Sequence, residues 1–294
     1  MTSATVRELP ANVMTKTYEA PFVRSDAGAL AGAVVCTPST AIDRIVPLKS
    51  EGSPIAERAI EAHGVLVRTL RDRGVDVTVL EPASESSLES LVGDAAIVLP
   101  KGAVIARPSA IDGRTDAAHV ERALAACGIP ILGRIESPGL LDASDVVLAG
   151  DRIYVGVARP GAILRSRSNE LGRRQLAAIA EANDLRVVEL ATEPDVARLR
   201  SVFNVIGTAT VLAAAERVDL VPVRDLRVIE VPRGEEWAAG VLAFGECRVI
   251  ANLRFRESIR LLRSNKVEVE AIDLWEFGKA GIGPFQLVLA TKRG

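Results

Sequence analysis

The sequence predicts an α/β fold: a closed, five-bladed propeller built from strand–strand–helix–strand repeats. Three observations predict it. Hairpin signals recur four times, at intervals of about fifty residues. Helical periodicity fills the gaps, and each helix is followed by a short strand-like run. Two apolar runs, 33–36 and 285–290, remain at the ends of the chain. Pairing one with the other completes a fifth unit and closes the ring.

The hairpins are read first. Residues 95–100 and 103–108 flank Lys101-Gly102, and 145–149 and 152–158 flank Gly150-Asp151. Residues 202–206 and 210–214 flank a turn containing Gly207, and 240–244 and 247–253 flank Gly245-Glu246. Short connections with glycine are the usual hairpin signature, because such turns need positive φ. The first helix is expected over 54–73, with Ile55, Ala59, Ile60, Val67 and Leu70 along one side, Pro54 in the first turn and Gly74 as the C-terminal cap. Further helices are expected over 115–127, 168–183 and 257–263, the second carrying Leu171, Leu176 and Ile179. The closing strands are 75–80, 129–132, 186–190 and 267–272. In the remaining unit 228–231 closes the blade, and the helix before it is poorly marked.

Composition narrows the function classes. The 294 residues are 48% hydrophobic and 25% charged, with a net charge of −2. A chain of this length buries roughly 75% of its unfolded surface and needs no disulfide or metal to fold. Basic residues do not cluster with aromatics, which argues against nucleic-acid binding. Cys36, Cys127 and Cys247 lie far apart, and with His63 and His119 they form no recognisable zinc pattern, so no metal is expected. G-x-G-x-x-G and G-x-x-x-x-G-K-[ST] loops are missing, and no cofactor is expected. The N-terminal residues carry no apolar signal core and no run reaches the ~18 residues of a membrane span, so the protein is read as cytoplasmic and off the membrane.

Six stretches carry a family resemblance: AGAVVCTPS, ERAIEAHGVLVRTL, LVGDAAIVLPKGAVIARP, LLDASDVVLAGDRIYVGV, RSNELGRRQL and RLRSVFNVIG. In this order and spacing the chain resembles the dimethylarginine dimethylaminohydrolase branch of the guanidino-modifying enzymes, within the amidinotransferase superfamily. The resemblance implies the pentein fold, a five-bladed α/β propeller. It divides the chain into an N-terminal extension, 1–30, and a single pentein domain, 31–294. It also implies a mechanism in which a cysteine thiolate attacks the guanidinium carbon, a histidine moves protons, carboxylates grip the guanidinium and arginines hold the substrate carboxylate. That division of labour is physically coherent, since a planar cation needs fixed acceptors and the nucleophile must be a thiolate near neutrality.

Carried over residue by residue, the binding half of the pattern survives and the chemical half does not. Asp94 matches the second acid of F-V-E-D, with Gly93 in place of the first. Arg107 in VIARP matches a carboxylate-binding arginine. Asp142 matches the acid of L-[DE]-G-G-D, with Ala143 and Ser144 in place of the glycines. Arg167-Ser168-Asn169 matches R-T-N, displaced by extra residues at 159–165. The L-H-L-K-S histidine falls on Arg198, and the cysteine of G-G-x-T-C falls on or beside Gln286. Arginine, with a pKa above ~12, is no general base at pH 7, and a glutamine amide is no nucleophile.

The expected ligand-binding residues are therefore Asp94, Arg107, Arg167 and Asn169, and the residues at the catalytic positions are Asp142, Arg198 and Gln286. The ligand is expected to be a small amino acid or carboxylate. Asp142 is expected to pair with Arg198. Asp145 is read as turn-forming, His63 as a packing residue, His119 as solvated, Cys127 and Cys247 as core, and Trp237 and Trp275 as core or rim. Cys36 is the one substitute nucleophile. Three functions stay open: a pseudoenzyme with a retained ligand site, an enzyme of altered chemistry on a non-guanidine metabolite, and a structural pentein whose axis is plugged by Phe285. The resemblance implies a homodimer.

Overall fold

In the computed structural model, residues 16–47, 52–82, 86–109, 111–161 and 168–294 are described, with backbone alone for 111–116. Their fifteen strands form five separate three-stranded sheets. The first blade closes the ring: β1 (Leu30–Cys36) lies between β15 (Leu289–Arg293), antiparallel, and β2 (Asp76–Leu80), parallel. The second blade is β3 (Ala96–Leu99), β4 (Gly102–Ile105) and β5 (Ile131–Arg134); the third is β6 (Val146–Ala149), β7 (Arg152–Ala158) and β8 (Arg186–Thr192). The fourth is β9 (Phe203–Gly207), β10 (Thr210–Ala213) and β11 (Arg227–Glu230), and the fifth is β12 (Leu242–Gly245), β13 (Arg248–Asn252) and β14 (Glu268–Ile272). Each central strand pairs antiparallel with one neighbour and parallel with the other. A parallel pair needs a crossover, which α1 (Ala56–Asp72), α2 (Ile111–Ala126), α3 (Glu170–Glu181) and α4 (Arg256–Ser264) supply in four blades. The fourth blade crosses over through a 3₁₀ turn at Val221–Val223, where the sequence marks no helix.

Several details differ from the expectation. The run 285–290 begins as a 3₁₀ turn, Pro284–Gln286, and the closing strand starts at Leu289. The buried stripe of α1 is Ala59, His63, Leu66, Val67 and Leu70, while Ile55 and Ile60 face outward. Leu171 is likewise exposed, and α3 packs through Gly172, Leu176 and Ala180. Three hairpin turns shift by one or two residues, to 100–101, 208–209 and 246–247. Cys247 consequently sits in a turn with φ +50° and is only partly buried.

The expected extension is built into the ring over its described part. Tyr18, Phe22 and Asp26 donate backbone N–H groups to Cys127, Pro100 and Leu148, at 3.0, 2.9 and 2.8 Å. Asp26 then accepts from Leu148 N–H and meets Arg200 at 3.4 Å. Arg293 caps this end of the axis by donating to the carbonyls of Gly28 and Ala243, both at 2.8 Å. Burial pulls its pKa down to about 10, which leaves it charged at neutral pH. Among the described residues no helix is long and apolar enough to cross a membrane.

Candidate functional site

A short 3₁₀ turn precedes the first strand of every blade in the ring: Val92–Asp94, Ala143–Asp145, Leu199–Ser201, Glu236–Ala239 and Pro284–Gln286. Those of the second, third and fourth blades touch in succession, and the turn before β15 touches Val92–Asp94. The pseudo-fivefold repeat thus carries Asp94, Asp145 and Gln286 to the last residue of three turns, and Arg198 to the N-cap of a fourth. Residues almost two hundred positions apart come into contact by this route.

At the centre Asp94 Oδ2 accepts from Gln286 Nε2 at 3.1 Å and lies 3.4 Å from an Arg198 terminal nitrogen. Gln286 Oε1 accepts from Gly283 N–H at 3.1 Å, which fixes the amide's orientation. All three side chains are buried. Asp94 Oδ1 and Arg198 Nε find no hydrogen-bond partner among the described residues. Asp145 forms the second acidic wall. It accepts from Leu199 N–H at 3.0 Å and from the Ser168 hydroxyl at 2.6 Å. Burial pushes its pKa up to about 6, against the pull of those hydrogen bonds and of Arg198, and Asp94 adds to the rise. Arg198 is thus a cation held between two buried acids.

The expected Asp142–Arg198 pair is replaced. Among the described residues, the carboxylate within ion-pair distance of Arg198 is that of Asp94. Asp142 is turned toward Ser109, whose N–H reaches Oδ1 at 3.3 Å, and its own N–H donates to Ser168 Oγ at 3.1 Å. Arg107 bridges the backbone of Leu141 and donates to the Gly139 carbonyl at 3.0 Å, which places it beside the acidic turn. Asn169 is the N-cap of α3: its Oδ1 accepts from Gly172 and Leu140, both at 2.9 Å. Arg167 lies outside the described residues, as does most of the insertion before it.

Gly93, expected to stand in place of an acid, packs closely against the turn before β15. A Cβ there would run into the Phe285 carbonyl oxygen and come within 3.0 Å of Gln286 Cα. A side chain at this position would therefore press on the backbone of the closing segment at Phe285 and Gln286. Gly93→Ala is expected to lower stability by about 1–3 kcal/mol in chemical denaturation, as overpacking against backbone does. Gly93→Glu, with its larger side chain, is expected to cost more.

Phe285 is buried, with Arg200 over its ring at 5.4 Å. Trp237 and Trp275 line a cleft beside this turn, together with Phe255 and Ile282. His63 is buried, as expected of a packing residue, and burial lowers its pKa to about 4. His119 corrects the reading of a solvated side chain. It is buried, with Nδ1 at 3.6 Å from the Glu89 carboxylate, because the inner face of α2 covers it. Sequence periodicity ranks histidine as polar and gives no signal for that face.

No family model matches the chain. It is 30% identical over 222 residues to the N(G),N(G)-dimethylarginine dimethylaminohydrolase of Pseudomonas aeruginosa, covering 74% of this chain and 84% of that protein. The protein of the same name from Streptomyces coelicolor is 32% identical over 221 residues, covering 75% and 81%. Among solved structures, a cysteine-to-serine mutant of the Pseudomonas aeruginosa enzyme, in complex with citrulline, matches with a TM-score of 0.79 at 26% identity. That match covers 89% of this chain and 99% of the other.

Proposed function

Because the chain belongs to the dimethylarginine dimethylaminohydrolase family, we propose that it is a catalytically degenerate member that keeps part of an amino-acid or carboxylate site. The observation that carries this reading is the contact set of Asp94. The acid that the family pattern assigns to gripping a substrate guanidinium is taken by the protein's own guanidinium, Arg198, and by the Gln286 amide. These two residues also stand where the general base and the nucleophile would be. The guanidinium end of the site is thus filled from within, and the ligand is one held by its carboxylate through Arg107 and Arg167. The cytoplasmic setting and the homodimer expected from the sequence belong to the same reading.

Two assays test it together. No citrulline should form from arginine or methylarginines above a denatured control. An amino acid or small carboxylate should raise the melting temperature saturably, following RT ln(1 + [L]/Kd), and Arg107→Ala should abolish the shift. Citrulline formation would overturn the degeneracy, and a flat ligand screen would overturn the retained site.

One observation favours a second reading, an enzyme of altered, non-cysteine chemistry on a non-guanidine metabolite. Asp145, beside Arg198, has a pKa near 6, within the range where a carboxyl exchanges protons at working pH. Turnover of such a metabolite that disappears in Asp145→Asn would decide for it.

A further inference from the structure

Away from the turn cluster, three chemically different side chains converge from three separate segments. Cys36 ends β1, Glu89 lies five residues before Asp94, and His119 faces inward from α2. All three are buried, and one ligand atom from each lies within 4.8 Å of the others. The chain has only three cysteines and two histidines, so their meeting at a buried carboxylate draws on scarce residues.

We propose that Cys36, Glu89 and His119 form a binding site for a divalent transition-metal ion of the zinc class. The donor set is one thiolate, one imidazole and one carboxylate, a combination suited to a borderline-soft ion and poorly suited to magnesium or calcium. The geometry agrees. Tetrahedral zinc with ordinary bond lengths sets neighbouring nitrogen and oxygen ligands roughly 3.4 Å apart. His119 Nδ1 and the nearer Glu89 oxygen are 3.6 Å apart, longer than a good hydrogen bond and close to that edge. Cys36 Sγ points toward the Thr37 carbonyl at 3.7 Å, so a small rotation brings the sulfur onto the ion as the thiol proton leaves to solvent. Three protein ligands leave a fourth position for water or an added ligand. An ion here ties together β1, α2 and the segment that leads into Val92–Asp94, and so braces the strand of chain that presents Asp94.

The test is a titration of the full chain, first stripped with a chelator, with zinc and with cobalt. One equivalent of zinc should bind in equilibrium dialysis and raise the melting temperature. Cobalt should give the near-ultraviolet thiolate-to-metal charge-transfer band. Cys36→Ser should abolish that band, and His119→Gln and Glu89→Gln should each weaken zinc binding by about tenfold or more. Cys247→Ser, which alters the partly exposed thiol, should change nothing. Circular dichroism confirms that each variant is folded; should His119→Gln unfold, the cobalt band of wild type against Cys36→Ser still decides. Failure of the wild-type chain to bind one equivalent, or an unchanged band in Cys36→Ser, would overturn the proposal.

Discussion

Replacing Arg198 with alanine is expected to lower folding stability by about 3–5 kcal/mol, the cost of leaving one member of a buried ion pair without its partner. The loss falls on Asp94, whose remaining hydrogen-bond partner among the described side chains is the Gln286 amide. It falls also on Asp145, since Arg198 offsets part of the burial penalty there. The reciprocal change should cost less. In Asp94→Asn the arginine still faces Asp145, and asparagine keeps an acceptor for Gln286, so a loss of about 1–2 kcal/mol is expected. The double variant should be more stable than the sum of the two single losses implies, because the unpaired charge is no longer created. Urea denaturation of the four proteins measures this cycle. A second readout separates an internal ligand from a merely structural pair. Arg198→Ala leaves a hole walled by two acids and shaped by a guanidinium, so millimolar methylguanidinium should stabilise that variant and leave the wild type unchanged. If methylguanidinium acts equally on both proteins, or on neither, Arg198 is not filling a guanidinium position.

The ring itself was legible because its signals are local. A glycine-containing turn between two apolar runs fixes each hairpin within a dozen residues, and the leftover runs at the two ends have only each other as partners. Even there the closing strand slid from 285–290 to Leu289–Arg293, since Pro284 favours a helical turn ahead of the strand. The site was legible as a set of positions and not as a set of contacts. Asp94, Arg198 and Gln286 follow from motif matching, but whether Arg198 turns to Asp94 or to Asp142 depends on how the turns of different blades meet. Both acids look alike along the chain. What separates them is that Asp94 ends its turn facing the axis, while Asp142 sits before its turn and is drawn toward Ser109 and Ser168. The convergence of Cys36, Glu89 and His119 was invisible for the same reason. It depends on the depth at which α2 lies against the first two blades, and no spacing along the chain encodes that.

Between about pH 4 and 6 two buried groups should pull stability in opposite directions, so that single variants reveal a pH dependence the wild type hides. Asp145 has a folded pKa of about 6, raised from 3.8. The folded state therefore binds the proton more tightly than the unfolded one. Its contribution is fully present below the unfolded value and is lost as pH rises through about 6. His63 has a folded pKa of about 4, lowered from 6.5 by burial, and its Nε2 has no hydrogen-bond partner among the described residues. The unfolded state binds that proton more tightly, so this contribution is present above 6.5 and is lost as pH falls through about 4. At 1.36 kcal/mol per pKa unit each swing amounts to about 3 kcal/mol, and the two cancel over most of their shared range. In Asp145→Asn the Leu199 N–H keeps an acceptor, so the substitution costs a constant offset of about 1 kcal/mol, and the histidine slope remains. Relative to wild type, this variant should gain about 3 kcal/mol as pH rises from 4 to 7. His63→Leu should do the reverse and gain a similar amount as pH falls from 7 to 4. Urea denaturation of the three proteins at half-unit pH intervals gives both differences directly, with the other carboxylates common to every curve. Differences that stay flat with pH would mean that Asp145 is ionised and His63 solvated at ordinary pKa values, and that the buried cluster around Arg198 is far wetter than its packing implies.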